Sequence, residues 1–256
     1  MYKTPPRKPQ TDFNLLYGVH PIEEAIQAGA QLEKIWIQKD KQAETIHKLK
    51  ELAEAAKIPC QVVPAEKIQS LCPTGNHQGV IAAMAAVAYY DVATVLKKVM
   101  DKGEMPLFII LDGITDVRNF GAIARSAECM GAHAIIVPTQ GSAPINADAI
   151  KTSAGALSYL PVCREHHLTD VAHIFQSEGI QLVACTEKAS KPFYDISFAE
   201  PTCLVFGSEE KGISSSLLKA CKQKTTIPMK GKIGSLNVAV SVGMVLSEIV
   251  RQRSLL

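Results

Sequence analysis

Apolar positions along the chain change spacing at a few sharp points, and those points divide it. From residue 107 onward, short apolar runs at 107–111, 134–137, 160–163, 182–185, 204–206 and 225–227 alternate with stretches in which apolar residues recur every three or four positions. The runs predict buried strands, and the longer period predicts helices at 120–130, 147–153, 168–176, 214–220 and 236–251. Gly131 and Gly179 punctuate two of these helices. Strands that are apolar throughout, alternating with helices, imply a parallel sheet covered on both faces. Such sheets bind ligands beyond the carboxyl ends of their strands.

The first third of the chain is more mixed. His20-Pro21 opens a helix that places Ile22, Ala25 and Ile26 on one face and stops at Gly29. A strand at 35–37 precedes an amphipathic helix marked by Ile46, Leu49, Leu52, Ala53 and Ala56, and a second strand follows at 60–63. We assign 14–90 to a small mixed α/β domain and 91–105 to a linker helix with Val92, Val95, Leu96 and Val99 on one stripe. The remainder, 106–256, is the larger α/β domain. Residues 1–13, with PPRKP at 5–9, read as a disordered basic tail rather than a signal peptide.

Composition narrows the class. With 47% apolar and 20% charged residues, the 256-residue chain resembles an ordinary soluble α/β protein. Its longest apolar stretch, 80–90, is too short to cross a bilayer, so a cytoplasmic protein without a membrane partner is expected. Seven cysteines, widely spaced and without a CxxC pair, fit neither a disulfide framework nor a zinc site; they read as buried small hydrophobes, and no metal is expected. The net charge is only +2, yet residues 211–232 hold six lysines and no acid. That segment can face an anion such as RNA, or form a solvated helix face.

Three polar, glycine-bearing loops follow the predicted strands: 112–121, 207–212 and 228–237. None contains GxGxxG, which disfavours a dinucleotide site. The glycine spacing of 207–212 is that of a P-loop, but Ile213-Ser214 replaces the required Lys-[ST], and Glu209-Glu210 would repel phosphates. In the third loop, Ser235 can cap the helix predicted from Leu236. Acidic, backbone-rich loops suit a cationic or neutral cofactor surface, such as the sulfonium of S-adenosylmethionine.

Asn119-x-Gly121-x-x-x-Arg125-Ser126-Ala127, Gly207-Ser208-Glu209-x-x-Gly212 and Ile227-Pro228-Met229 running to Ser235-Leu236-Asn237-Val238 resemble, in order and spacing, the three motifs of the SpoU (TrmH-like) branch of the SPOUT methyltransferases. Tyr17-Gly18 and His77-Gln78-Gly79 are similar to landmarks of the ribosomal-protein-like RNA-binding domain in that family's rRNA-modifying members. The resemblance spans about 15–253 and is strongest to members that methylate the 2′-hydroxyl of guanosine in 23S rRNA. It implies an α/β-knot fold, a homodimer, S-adenosylmethionine as cofactor, and 23S rRNA or another structured RNA as partner. Two alternatives stand beside it: a tRNA guanosine or rRNA adenosine 2′-O-methyltransferase, and a non-catalytic RNA-binding ribosome-assembly factor.

Carried over by motif, Gly207, Ile227 and Leu236 would contact the cofactor largely through backbone, with Met229, Ser235, Asn237 and Thr186 nearby. Arg125 matches the catalytic arginine. Because guanidinium stays protonated in proteins, its expected task is to work with a substrate phosphate, orienting the hydroxyl and stabilising alkoxide charge, rather than to act as a simple base. Asn119 fits two roles, orienting Arg125 or the ribose and capping a helix that begins near Phe120. Glu209 would fix its loop or Arg125; Ser235 and Asn237 complete the catalytic set. His20, His77, Lys230 and Lys232 are the expected RNA contacts.

Overall fold

The computed structural model describes residues 14–39, 44–73 and 76–255, so the basic tail expected at 1–13 lies outside the described residues. Its first unit, Met1–Ala86, is organised by a four-stranded sheet. In chain order the elements are β1 (Leu15–Tyr17), α1 (Val19–Gln27), β2 (Leu32–Gln38), α2 (Glu44–Ala55), β3 (Cys60–Val63), α3 (Ala65–Leu71) and β4 (Val80–Met84). The order across the sheet is β1-β4-β2-β3, with only β2 and β3 parallel. Ile35 and Ile37 of β2 face the helices α1 and α2, whereas Trp36 faces α3, as the two-residue period of a strand requires. Leu32 joins Ile35 on one face because the pairing slips between Leu32 and Lys34, a bulge that offsets the odd spacing.

The second unit, Val87–Leu256, contains β5 (Tyr89–Tyr90), α4 (Val92–Asp101), β6 (Leu107–Asp112), α5 (Val117–Cys129), β7 (Ala134–Pro138) and α6 (Ala147–Thr152). It continues through β8 (Val162–Glu165), α7 (Leu168–Ser177), β9 (Gln181–Cys185), β10 (Thr202–Gly207), α8 (Ser215–Ala220), β11 (Gln223–Thr225) and α9 (Val238–Arg253). Seven strands pair in the order β11-β9-β10-β6-β7-β8-β5, every neighbour parallel. One face packs on α5, α6 and α9, the other on α4, α7 and α8. The doubly covered parallel sheet anticipated from the apolar runs is therefore present, with β6 and β10 at its centre.

Three expectations need correction. The boundaries drawn at 90 and 105 move: Tyr89 and Tyr90, placed by the sequence in the first domain, pair with β8 of the second unit, and the helix expected as a linker, α4, belongs to that unit too, its Val92, Val95, Leu96 and Val99 stripe buried with Phe108 and Phe175. A stripe apolar enough to bury itself on a sheet does so. Helix α9 begins at Val238, not Leu236, because the Asn237 carboxamide oxygen, not the Ser235 hydroxyl, accepts from the amides of Ala239 (2.9 Å) and Val240 (3.4 Å). Helix α5 begins at Val117, capped by Asp116, whose Oδ1 accepts from Arg118 N and Asn119 N at 2.8 Å each. Asn119 therefore lies inside the first turn, and its side chain is released from capping.

Candidate active site

The loops after β6, β10 and β11 meet at the carboxyl end of the sheet. Gly207 ends β10 where the chain doubles back so tightly that a Cβ would overlap the backbone of Gly212 and Ile213, which leaves glycine as the residue that fits. The return is fastened by Gly212 N donating to Ser208 O (2.8 Å) and Lys211 N to Ser208 Oγ (3.1 Å). A further bond crosses from the neighbouring strand: Ser214 N donates to Asp112 Oδ2 at 2.7 Å. This anchor was not anticipated, although an acid at a strand end beside the loop was its visible signal.

Glu209 then stands where the three loops converge. Its Oε1 accepts from Asn119 Nδ2 (3.4 Å), Asn237 Nδ2 (3.2 Å) and the amide of Val238 (3.3 Å), while Asn237 Nδ2 also donates to Asn119 Oδ1 (2.9 Å). Asn237 thus uses its oxygen to cap α9 and its nitrogen to bind the cluster. One carboxylate and two carboxamides, remote in sequence, hold the mouths of α5, β10 and α9 together.

Beside this cluster opens a cavity of about 660 Å³, a size typical of small-molecule sites. Thr186 borders it from the end of β9, Gly207 from β10, Ile227 and Met229 from beyond β11, and Ser235, Leu236 and Asn237 from the approach to α9. All seven residues expected at the cofactor line it. Ile227 lies past the end of β11, which stops at Thr225 rather than running to 227. Among the described residues, the amides of 229–236 have no backbone hydrogen-bond partner and are open to a ligand. Glu187, Glu209 and Glu210 add carboxylates, and Phe206, Val238 and Val245 add apolar surface. Acidic groups for a sulfonium and amine, apolar walls for a purine and free amides for polar edges together fit S-adenosylmethionine.

Other expected residues are placed differently. Arg125 is exposed on α5, does not line the cavity, and its side chain makes no hydrogen bond or ion pair among the described residues, to Asn119 and Glu209 included. Ser235 is exposed and caps nothing; Lys230 and Lys232 are exposed in the same loop. His20 Nδ1 lies 3.5 Å from the Glu23 carboxylate, and the ring is largely exposed. His77 is tied locally: Nδ1 accepts from Gly79 N at 3.0 Å. Among the described residues no group of acids, histidines and cysteines could hold a metal. Burial pushes up the thiols of Cys185, Cys203 and Cys221, the last to about 12, which keeps them neutral. Cys129, read from the sequence as buried, is exposed on α5.

Comparison with known proteins bears on the same residues. Residues 106–247 match the model of the SpoU rRNA methylase family, and 15–90 match the domain described as RNA 2′-O ribose methyltransferase substrate binding. The chain is 32% identical over 237 residues to the Bacillus subtilis putative TrmH family tRNA/rRNA methyltransferase YacO, covering 93% of this chain and 95% of that one. It is 31% identical over 241 residues to the Escherichia coli 23S rRNA (guanosine-2′-O-)-methyltransferase RlmB, covering 94% and 99%. Among solved structures, the Streptomyces viridochromogenes SpoU methyltransferase AviRb in complex with AdoMet aligns with a TM-score of 0.60 at 26% identity, covering 98% of this chain and 94% of that one.

Proposed function

The chain belongs to the SpoU rRNA methylase family, and from that premise we propose that it transfers a methyl group from S-adenosylmethionine to the ribose 2′-hydroxyl of a guanosine in 23S rRNA. The observation that carries the proposal is the cavity at the sheet's carboxyl end, walled by the second and third motif loops, whose lining residues Glu209 and Asn237 are bonded to Asn119 of the first motif. The cofactor, when bound, supplies a methyl group activated by sulfonium. Gly207, Ile227 and Leu236 would hold it through backbone, with Thr186, Met229, Ser235 and Asn237 beside them.

The remaining work belongs to the RNA side. A ribose hydroxyl must be aligned with the methyl–sulfur bond, and alignment of this kind can contribute ~7–11 kcal/mol to lowering a barrier. Arg125, whose side chain has no partner among the described residues, grips the substrate phosphate and stabilises charge developing on the 2′-oxygen, while the phosphate assists passage of the 2′-proton to solvent. Glu209 and Asn119 keep the rim of the site fixed so that the hydroxyl meets a preorganised edge. Lys230 and Lys232, on the exposed loop, add long-range attraction for RNA.

Residues 14–90 grip structured RNA, helped by the tail at 1–13, with His20 at the surface and His77 holding the loop that precedes β4. The active form is a homodimer joined through α9: Val240 is 51% exposed and Met244 39%, and with Phe193 and Gly243 they border a shallow depression of about 510 Å³. The segment leading into α9 threads a loop of its own chain to make the knot. The protein works in the cytoplasm, where its substrate is; among the described residues no helix is long and apolar enough to cross a membrane.

Incubation with methyl-labelled S-adenosylmethionine and separate 23S rRNA and tRNA pools, followed by mapping of 2′-O-methyl sites, tests the reading. A single labelled guanosine in 23S rRNA is expected. Label confined to tRNA or to an adenosine overturns the assigned substrate, and absence of both label and cofactor binding would favour an assembly factor.

A further inference from the structure

Helix α5 carries a second arginine that the reaction above leaves unused. Arg118, Ala122, Arg125 and Cys129 succeed one another at helical spacing; all are exposed except Ala122, which is half-buried. Both guanidinium groups therefore leave one side of the helix, roughly 10 Å apart along its axis at ~1.5 Å rise per residue. Neither has a hydrogen bond or ion pair from its side chain among the described residues. Arg118 also occupies the first turn, where a cation opposes the helix dipole, and the positions three and four residues on are Gly121 and Ala122, which offer it no acid. The fold gains nothing from a charge there. Its chain neighbour Asn119, in contrast, belongs to the cluster at the cavity rim.

We propose that Arg118 is a strand-positioning residue that binds an RNA backbone phosphate next to the target nucleotide, while Arg125 engages the phosphate of the target itself. The RNA strand then runs along the exposed face of α5, past the rim of the cavity. The inference rests on the 2′-O-methyltransferase reading and adds the direction of the strand. A guanidinium suits the task because its fork meets two phosphate oxygens at once.

Steady-state methylation of a 23S rRNA transcript by Arg118→Ala, Arg118→Lys and the unaltered protein, repeated across a range of salt, tests it. Arg118→Ala should raise KM for RNA about tenfold, reduce the slope of log affinity against log salt by about one phosphate contact, and leave cofactor affinity in place; Arg118→Lys should restore most of the slope. An unchanged KM and salt slope overturns the inference while leaving the enzyme reading intact. A fall in kcat without a change in slope also overturns it, since that marks a structural effect. Failure of the unaltered protein to methylate any RNA overturns the enzyme reading and this inference with it.

Discussion

Replacing Gly207 by alanine tests the architecture of the cofactor wall. The added Cβ overlaps the backbone of Gly212 and Ile213, atoms that cannot rotate aside, so the 208–213 loop has to open by more than about 1 Å to reach ordinary contact. That loop is held by Gly212 N to Ser208 O and by Ser214 N to Asp112 Oδ2, and opening it strains both bonds. Overpacking of this kind costs ~1–3 kcal/mol. At roughly 2–4 °C per kcal/mol for a unit of this size, the melting temperature falls by ~2–12 °C. The loop also carries Glu209, so the rim shifts with it, and a displacement of ~1 Å near a reacting centre lowers turnover on the order of 100-fold. Calorimetry with S-adenosylmethionine should show binding weakened at least about tenfold, or ~1.4 kcal/mol. Gly234→Ala is the matched control: it lines the same cavity, and its Cβ would meet nothing within 4 Å. Gly207→Ala with unaltered melting and cofactor affinity would refute the close-approach argument.

Three further outcomes follow from named contacts. Arg125→Ala should lower methyl transfer on the order of 100-fold or more while cofactor affinity, read by calorimetry, stays within error; near-normal transfer would remove Arg125 from the mechanism. Asp112→Ala deprives Ser214 N of its acceptor, and thermal unfolding should register a loss of ~1–2 kcal/mol that Asp112→Asn largely restores; equal losses in both would count against the bond. Glu248 is held at about 2 by bonds from Arg251 and Gln252 that outweigh its burial, so it ionises more readily folded than unfolded, where its value is 4.5. Its stabilising contribution is full above 4.5 and is lost as pH falls through about 2. The melting-temperature gap between the unaltered protein and Glu248→Gln should therefore narrow across that range, and a constant gap would show that the carboxylate is not the cause.

The central strands were legible because a buried parallel strand has no polar face to dilute its pattern: Leu107 to Leu111 and Leu204 to Phe206 are apolar throughout and lie where the runs put them. Helix ends were less legible. Ser235 and Asn237 are comparable caps by residue type, and Asp116 competes with Asn119 in the same way; only three-dimensional reach decides between them. Strands β1 and β4 and helix α3 were not anticipated, since three to seven residues are too few for a period to declare itself. At the site, motif spacing identified the residues that meet, Asn119, Glu209 and Asn237. It also suggested that Glu209 or Asn119 would hold Arg125, and no hydrogen bond or ion pair joins that side chain to either among the described residues. Asp112 went unread because its role depends on Ser214, a partner that becomes adjacent only when β6 and β10 pair.

That pairing has a consequence for the order in which the molecule assembles. As the chain is synthesised, β6, β7 and β8 can pair in succession, but the other edge of β6 stays open until β10 has been made. The cluster at the rim forms later still, once Asn237 arrives at the start of the last helix. Pairings between distant segments form slowly. Refolding should accordingly regain helix and sheet before it regains the ability to bind cofactor, and a chain stopped short of α9 would keep most of its strands yet have no finished site.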